Sequence, residues 1–470
     1  MTRARPRRVA LALLCLVACA PGPGAGLVSQ AGAKDQEQAD SSLMAATTAP
    51  RADVRDASRA KDLPAPNPYT PRPEDRVTPA QPVEDPTGRA LDRFFAALAR
   101  SDDGEAGALT RVSHFGDSSI GTDGLPHAIR RRFQARFGDG GAGFVNLHSY
   151  SGNIRSRVVD RNGSGVWQTC FITYGCRRDG HYGLGGHIFQ PTRGDRTRIE
   201  TKRKGEFGLE VSRFDLYYAE SPSGGRIAVR VDGGEPTVID TRGPELVDRF
   251  HEIRVPQGPH RVELEGRGNG YARAYGVVLE TDGPGVVWDT MSMIGAFTKR
   301  LLLYNPEHIA QQVAHRGPDL IVFNFGGNDL RRLVGGGVKA EGFKDEVREA
   351  YERVRLGAPE ASCLVVSVID HGRSGNKTVE AKHVDTITAA QRDVAFELGC
   401  AFFNTLEAMG GPRSIFEWRK ARPALASPDL KHLNERGWDR MGEMIYESLL
   451  AGYVDYRQRP GGGAVQAAAP

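Results

Sequence analysis

Two stretches leave this chain little choice of architecture. Leu320-Ile321-Val322-Phe323 and Cys363-Leu364-Val365-Val366-Ser367-Val368-Ile369 are almost unbroken apolar runs of strand length. Each needs protein on both faces, and strands covered on both faces belong to parallel sheets between helices. The segments between them have the matching period. Asn305 to His315 reads as a helix, Phe343, Val347, Tyr351 and Val354 mark another, Val384 to Leu398 a third, and Cys400-Ala401-Phe402-Phe403 a further short strand. Trp438, Met441, Ile445 and Leu449 give the last helix a buried stripe. The expected fold class is α/β, a doubly wound parallel sheet in three α/β/α layers.

One strand of this sheet must come from far upstream. Arg111-Val112-Ser113-His114-Phe115 reads as a strand that runs into the turn Gly116-Asp117-Ser118, and a helix follows with Leu125, Ile129, Phe133 and Phe137 on its buried stripe. Arg130, Arg131 and Arg132 are expected on that helix's solvated face. Between about residues 150 and 284 the period changes to alternation: Ile227, Val229 and Val231 against Arg226, Ala228 and Arg230, and again in Arg261-Val262-Glu263-Leu264-Glu265. This reads as an inserted all-β sandwich or jelly roll. The α/β domain is therefore discontinuous, 87–149 and 285–458 flanking an insert at 150–284. Trp167, Tyr174 and Tyr182 in the insert are either core residues or platforms for sugar rings.

The chain has 470 residues and a net charge of +4, too small a charge for its length to point to nucleic acid. It starts with Arg3, Arg5, Arg7 and Arg8, followed by an apolar run from Val9 to Ala18 that is too short to span a bilayer. This is an export signal. Its end, Leu16-Val17-Ala18-Cys19, resembles the lipobox of bacterial lipoproteins, in which the cysteine becomes the lipidated first residue of the mature chain. That resemblance implies a lipid anchor at Cys19 and a place in the bacterial cell envelope, at the outer membrane and facing the periplasm; an ordinary secretory signal cut nearby is the alternative. Residues 20–86 are rich in Ala, Pro, Asp, Gln and Ser with Tyr69 as their only aromatic, and are expected to be a disordered linker. The tail, 459–470, is Gly/Ala-rich and expected to be loose. Export permits disulfides among Cys170, Cys176, Cys363 and Cys400: the first two are close enough to staple a hairpin, while Cys363 and Cys400 each begin a buried strand and read simply as core thiols, the pairing of the four being left open. No Cys/His spacing has the pattern of a zinc site, His181 and His187 included, and no motif calls for a cofactor.

A serine at a strand-to-helix corner stands exposed at the end of a sheet with free backbone N–H groups beside it, where acyl chemistry wants a nucleophile. By itself Ser118 is equally a helix cap. Two distant blocks change the balance. Gly326-Gly327-Asn328-Asp329 follows the Leu320 strand, and Asp429-Leu430-Lys431-His432 precedes the last helix. A spacing of three lets Asp429 hold one nitrogen of His432 while the other faces the serine. In order and setting these blocks resemble the SGNH (GDSL-type) hydrolase family. The resemblance implies a catalytic triad of Ser118, His432 and Asp429. It also implies an oxyanion hole built from the Ser118 N–H, the Asn328 side chain and the N–H of Gly295, the best match to the family's second block. Asp117 reads as a turn residue.

Within the family the layout is most similar to peptidoglycan O-acetylesterases with a carbohydrate-module-like insert. The function implied is a serine esterase that removes O-acetyl groups from cell-wall glycan through an acetyl-enzyme on Ser118. Two alternatives stand beside it: an O-acetyltransferase using the same triad, and a non-catalytic wall-binding lipoprotein. The expected partners are an acetylated glycan and a bacterial membrane; the oligomeric state is not legible.

Overall fold

Five parallel strands form the central sheet, in the spatial order Gly285–Ser292, Leu109–Gly116, Leu320–Asn324, Ser362–Val366, Ala401–Phe403. The structure is a computed structural model that describes residues 69–148, 154–373, 377–378 and 381–459. The signal segment 1–19 with Cys19, most of the proposed linker, and the tail beyond Arg459 lie outside the described residues. Among the described residues no helix is long and apolar enough to cross a membrane.

The apolar runs are apolar because both faces of the sheet are covered. Ile321, Phe323 and Val365 point to one side, into a core with Val347, Tyr351 and Ile387. Leu320, Val322 and Leu364 point to the other, against Phe133, Trp438 and Met441 from the helices Gly124–Phe137 and Glu435–Gln458. All five strands are parallel, so the loops leaving their carboxyl ends gather at one edge. In the register, Gly116 is the partner of both Ser292 and Asn324.

The insert is a pair of antiparallel sheets, one of six strands and one of five, around a shared apolar core that includes Val159, Ile199, Ile227, Val262 and Leu264. It begins earlier than its sequence period suggests. The short strand Gly143–Val145 already pairs with Val277–Leu279, and the last insert strand, Arg273–Glu280, ends just before the sheet strand Gly285–Ser292. Three residues are too few to show an alternation, which is why the boundary read as 150. The two parts also share apolar contacts, with Phe144, Tyr182 and Tyr217 of the insert in one cluster with Phe115 and Phe323.

Three further expectations are corrected. The end of the 20–86 linker is ordered from Tyr69: Asp75 is buried and bonded by Arg136 Nε at 2.6 Å, and Glu84 exchanges two backbone hydrogen bonds with Phe402, covering the edge strand. A segment with no core of its own is held by the domain it lies on. Arg130 is not on a solvated face; it is 1% exposed, paired with Asp123 at 2.6 Å and donating to the Trp288 carbonyl. Arg131 and Arg132 remain nearer the surface, both on Asp439. Cys170 and Cys176 are bonded, and so are Cys363 and Cys400, which are disulfide partners and not free core thiols. Their bond follows from topology, since Leu364 and Ala401 are partners on neighbouring strands and the cysteines stand one residue before each.

Where the chain leaves the sheet for the insert and where it returns, a buried charge cluster holds both. Arg316 donates to Asp289 Oδ2 and Oδ1 at 2.7 and 3.0 Å and to Glu280 Oε1 at 2.7 Å. Arg111 and Arg213 also bond Glu280, and Asp289 Oδ1 accepts from the Phe144 N–H at 2.8 Å. Burial pushes the Glu280 carboxyl up, but the three guanidinium groups outweigh it and leave it far below the usual carboxylate range. Removing one partner from such a cluster strands the others without water. Arg316→Met is expected to cost about 3–5 kcal/mol; urea unfolding checks this, and a loss under about 1 kcal/mol, the range of a surface pair, would contradict it.

Candidate active site

The strand Leu109–Gly116 ends at a position where only glycine fits: a Cβ on Gly116 would lie 2.7 Å from the Asn324 carbonyl oxygen. The chain then turns. Asp117 accepts the Ser119 N–H on Oδ1 at 2.9 Å, which leaves Ser118 at the tip of the corner. The neighbouring turn is tied to it by the Met293 N–H, which donates to the Gly116 carbonyl at 2.8 Å and sets Ile294 and Gly295 alongside. Gly295 has φ +77, a left-handed conformation that suits glycine.

Across from Ser118 the loop before the last helix presents Asp429 and His432. Asp429 Oδ1 accepts the backbone N–H groups of Lys431 and His432 at 3.0 and 3.2 Å. Leu430 between them adopts φ +57, with its side chain buried among apolar residues and its carbonyl accepting from Gly372 at 2.7 Å. Asn434 caps the helix by accepting the Gly437 N–H at 3.1 Å.

These loops converge. His432 Nε2 is 2.9 Å from Ser118 Oγ, and His432 Nδ1 is 2.6 Å from Asp429 Oδ2. A neutral ring that gives its Nδ1 hydrogen to the Asp429 carboxylate offers Nε2 to the hydroxyl as an acceptor. Burial raises the Asp429 carboxyl, but the bonds from the His432 ring and the backbone N–H groups more than offset this, and it stays below the usual range. All three residues line a cleft of about 1100 Å³ that also takes in Gly295, Asn328 and His371.

The N–H groups of Ser118 and Gly295 have no acceptor among the described residues, although both residues line the cleft. Asn328 is buried, and its amide is held at both ends: Nδ2 donates to Asp117 Oδ2 at 3.3 Å and Oδ1 accepts from Arg331 Nη2 at 2.9 Å. One Nδ2 hydrogen remains for the cleft. The arrangement can take a proton from a hydroxyl nucleophile and has donors to spare for a developing oxyanion.

The fold therefore brings Ser118, His432, Asp429, Gly295 and Asn328 into one cleft. Asp117 does what its turn reading implies and also accepts from Asn328. Burial raises its carboxyl, against the opposing effect of the Ser119 bonds. Sequence reasoning passed over His371, whose Nδ1 donates to the Ile369 carbonyl at 2.8 Å. A Cβ on Gly327 would lie 3.4 Å from its Nε2 and 3.5 Å from Asp117 Oδ2. Its signal was position, two residues beyond an apolar strand run at the sheet's carboxyl edge. Away from the cleft, the fold also gathers His181, Asp248 and His308 within 4.8 Å, a possible ligand set that no local spacing announces. Both ring nitrogens of His308 are engaged there, with Asp248 at 2.5 Å and the Tyr182 carbonyl at 2.5 Å, in holding the insert to the helix Pro306–Arg316.

Residues 258–440 match the model of the GDSL-like lipase/acylhydrolase family. The chain carries a GDSL-like hydrolase domain. The match takes in Gly295, Asn328, Asp429 and His432, and Ser118 lies upstream of it because the insert splits the GDSL-like domain. A solved structure described as a peptidoglycan O-acetylesterase in action shares the fold at a TM-score of 0.62 and 20% identity, over 78% of this chain and 97% of that one. The lipase/acylhydrolase from Enterococcus faecalis aligns at 0.27 and 14% identity, over 36% of this chain and 77% of that one. An acetyl xylan esterase aligns at 0.28 and 16%, over 36% and 83%. No curated protein matches the sequence.

Burial pushes His371 down to about 4, so the folded cleft holds it neutral. The unfolded chain protonates it near 6.5, so its contribution to stability is fully present above that pH and is lost as pH falls toward 4. Relative to His371→Gln, the wild type is expected to lose melting temperature on going from pH 7 to pH 4.5. Parallel melting curves across that range would contradict a neutral buried imidazole.

Proposed function

We propose that this GDSL-like domain is a serine esterase that removes O-acetyl groups from cell-wall glycan such as peptidoglycan, working in the cell envelope from a lipid anchor at Cys19. The observation that carries the reading is the hydrogen-bonded series Ser118 Oγ, His432, Asp429, opening on a cleft with unclaimed N–H donors. The fold shared with a peptidoglycan O-acetylesterase supports the choice of substrate.

In this mechanism His432 Nε2 takes the Ser118 proton as Oγ bonds the acetyl carbon. The carbonyl oxygen becomes an oxyanion facing the Ser118 and Gly295 N–H groups and the Asn328 amide. Asp429 holds the imidazolium that has formed. On collapse the C–O bond to the sugar breaks, the sugar oxygen takes the proton from His432, and the acetyl group stays on Ser118. Water then attacks the acetyl carbon, giving its proton to His432, and the second collapse releases acetate and returns the proton to Oγ.

Of the insert aromatics Trp167, Tyr174 and Tyr182, one is placed to meet a sugar. Trp167 and Tyr182 are buried, but Tyr174 is 76% exposed, on the loop closed by the Cys170–Cys176 disulfide. In that loop the Thr173 hydroxyl donates to the Ile294 carbonyl at 3.2 Å, next to Gly295. A ring in this place favours a glycan lying from the insert toward Ser118.

Purified protein is expected to release acetate from O-acetylated peptidoglycan. Ser118→Ala and His432→Ala should each lose roughly 10⁴-fold or more in kcat, and Asn328→Ala about 10²–10³-fold. Full acetate release by Ser118→Ala would sink the proposal.

A further inference from the structure

Many arginines and lysines among the described residues have a carboxylate partner. Arg332, for example, lies within 3.4 Å of Asp329 and 2.5 Å of Glu346. Its neighbour Arg331 faces the cleft and has no carboxylate within ion-pair distance among the described residues; it donates to the neutral Asn328 amide oxygen. Lys431 lines the same cleft beside His432 and likewise has no ion-pair partner among the described residues. The other titratable groups lining the cleft are Asp117, His371, Asp429 and His432. Of the two acids, Asp117 is buried and bonded by Asn328 and Ser119, and Asp429 is taken up by His432. The exposed, unsatisfied charge of the cleft is therefore positive: Arg331, three residues after Asn328, and Lys431, next to His432.

We infer that Lys431 and Arg331 read a carboxylate on the substrate, so that the esterase acts on acetylated glycans that are themselves acidic in preference to neutral ones. This rests on the proposed function and narrows its substrate class. A guanidinium offers a carboxylate two parallel donors and an ammonium offers a point charge, and neither has a strong partner to give up first. A neutral acetylated sugar leaves Lys431, and the part of Arg331 not bonded to Asn328, with water. The difference gives selectivity through affinity for the acid, without any clash against the neutral competitor.

The test compares two substrates that differ at one group: a 6-O-acetyl N-acetylmuramic acid glycoside and the same compound with its carboxylate converted to a neutral carboxamide of nearly the same shape. The wild type is expected to use the acid with a kcat/KM about fivefold to tenfold higher in dilute buffer, the size of one or two charge-assisted contacts at an open site. The margin should shrink in 0.5 M salt. Lys431→Gln should bring the ratio toward one, and Lys431→Glu should invert it. Equal use of the two substrates by the wild type, or an unchanged ratio in both variants, would overturn the inference. Calorimetry of the two deacetylated sugars with Ser118→Ala judges the carboxylate site separately. Preference for the acid there upholds it even where the wild type releases no acetate, and that result would count against the esterase reading alone.

Discussion

Glu280 and Asp289 have no access to water, and they are tolerable only because Arg316 lies between them with Arg111 and Arg213 completing the set. Asp289 belongs to the sheet strand Gly285–Ser292 and also accepts the N–H of Phe144, at the first insert strand. Glu280 ends the last insert strand. A single cluster thus fixes where the chain departs from the α/β domain and where it comes back. An apolar contact of the same area would tolerate sliding, whereas directional charged bonds with no solvent to replace them set a register.

That register matters because the returning strand leads directly into the site. Gly285–Ser292 lies parallel to the Ser118 strand with Ser292 as the partner of Gly116, and the next residues are Met293, Ile294 and Gly295. The Gly295 N–H is thereby positioned by the way the insert closes. The insert also reaches the same loop from outside, through the Thr173 hydroxyl on the Ile294 carbonyl. The β domain therefore supports the geometry of the site independently of any sugar it holds.

The parallel sheet and the insert were legible because burial on two faces and burial on one face write different periods. Ser118, Asp429 and His432 were legible because each lies in a short block at the end of a strand or the start of a helix. What escaped was whatever depends on partners far away in sequence. Arg130 looks like a surface charge until Asp123, held by the Thr290 hydroxyl and the Arg157 N–H, is seen beneath it. Cys363 and Cys400 look like separate core residues until their strands become neighbours. Residues 69–86 have no apolar pattern, since they are held by Arg136 and by the backbone of Phe402, and neither partner leaves a trace in the segment's composition.

Asn328 shows how a polar side chain can be given one orientation. Flipping its amide would turn the oxygen toward the Asp117 carboxylate, placing two acceptors together, and the NH₂ toward Arg331, placing two donors together. Both ends therefore oppose the flip, and the spare hydrogen keeps facing the cleft without help from substrate. Arg331 contributes to this with one nitrogen while the rest of its guanidinium stays exposed. A negative group drawn to the exposed part would leave the amide oxygen its donor, so binding of an acidic group and orientation of the Asn328 amide are compatible on a single side chain. A lysine in that place, with one compact charge, would have to divide it between the two.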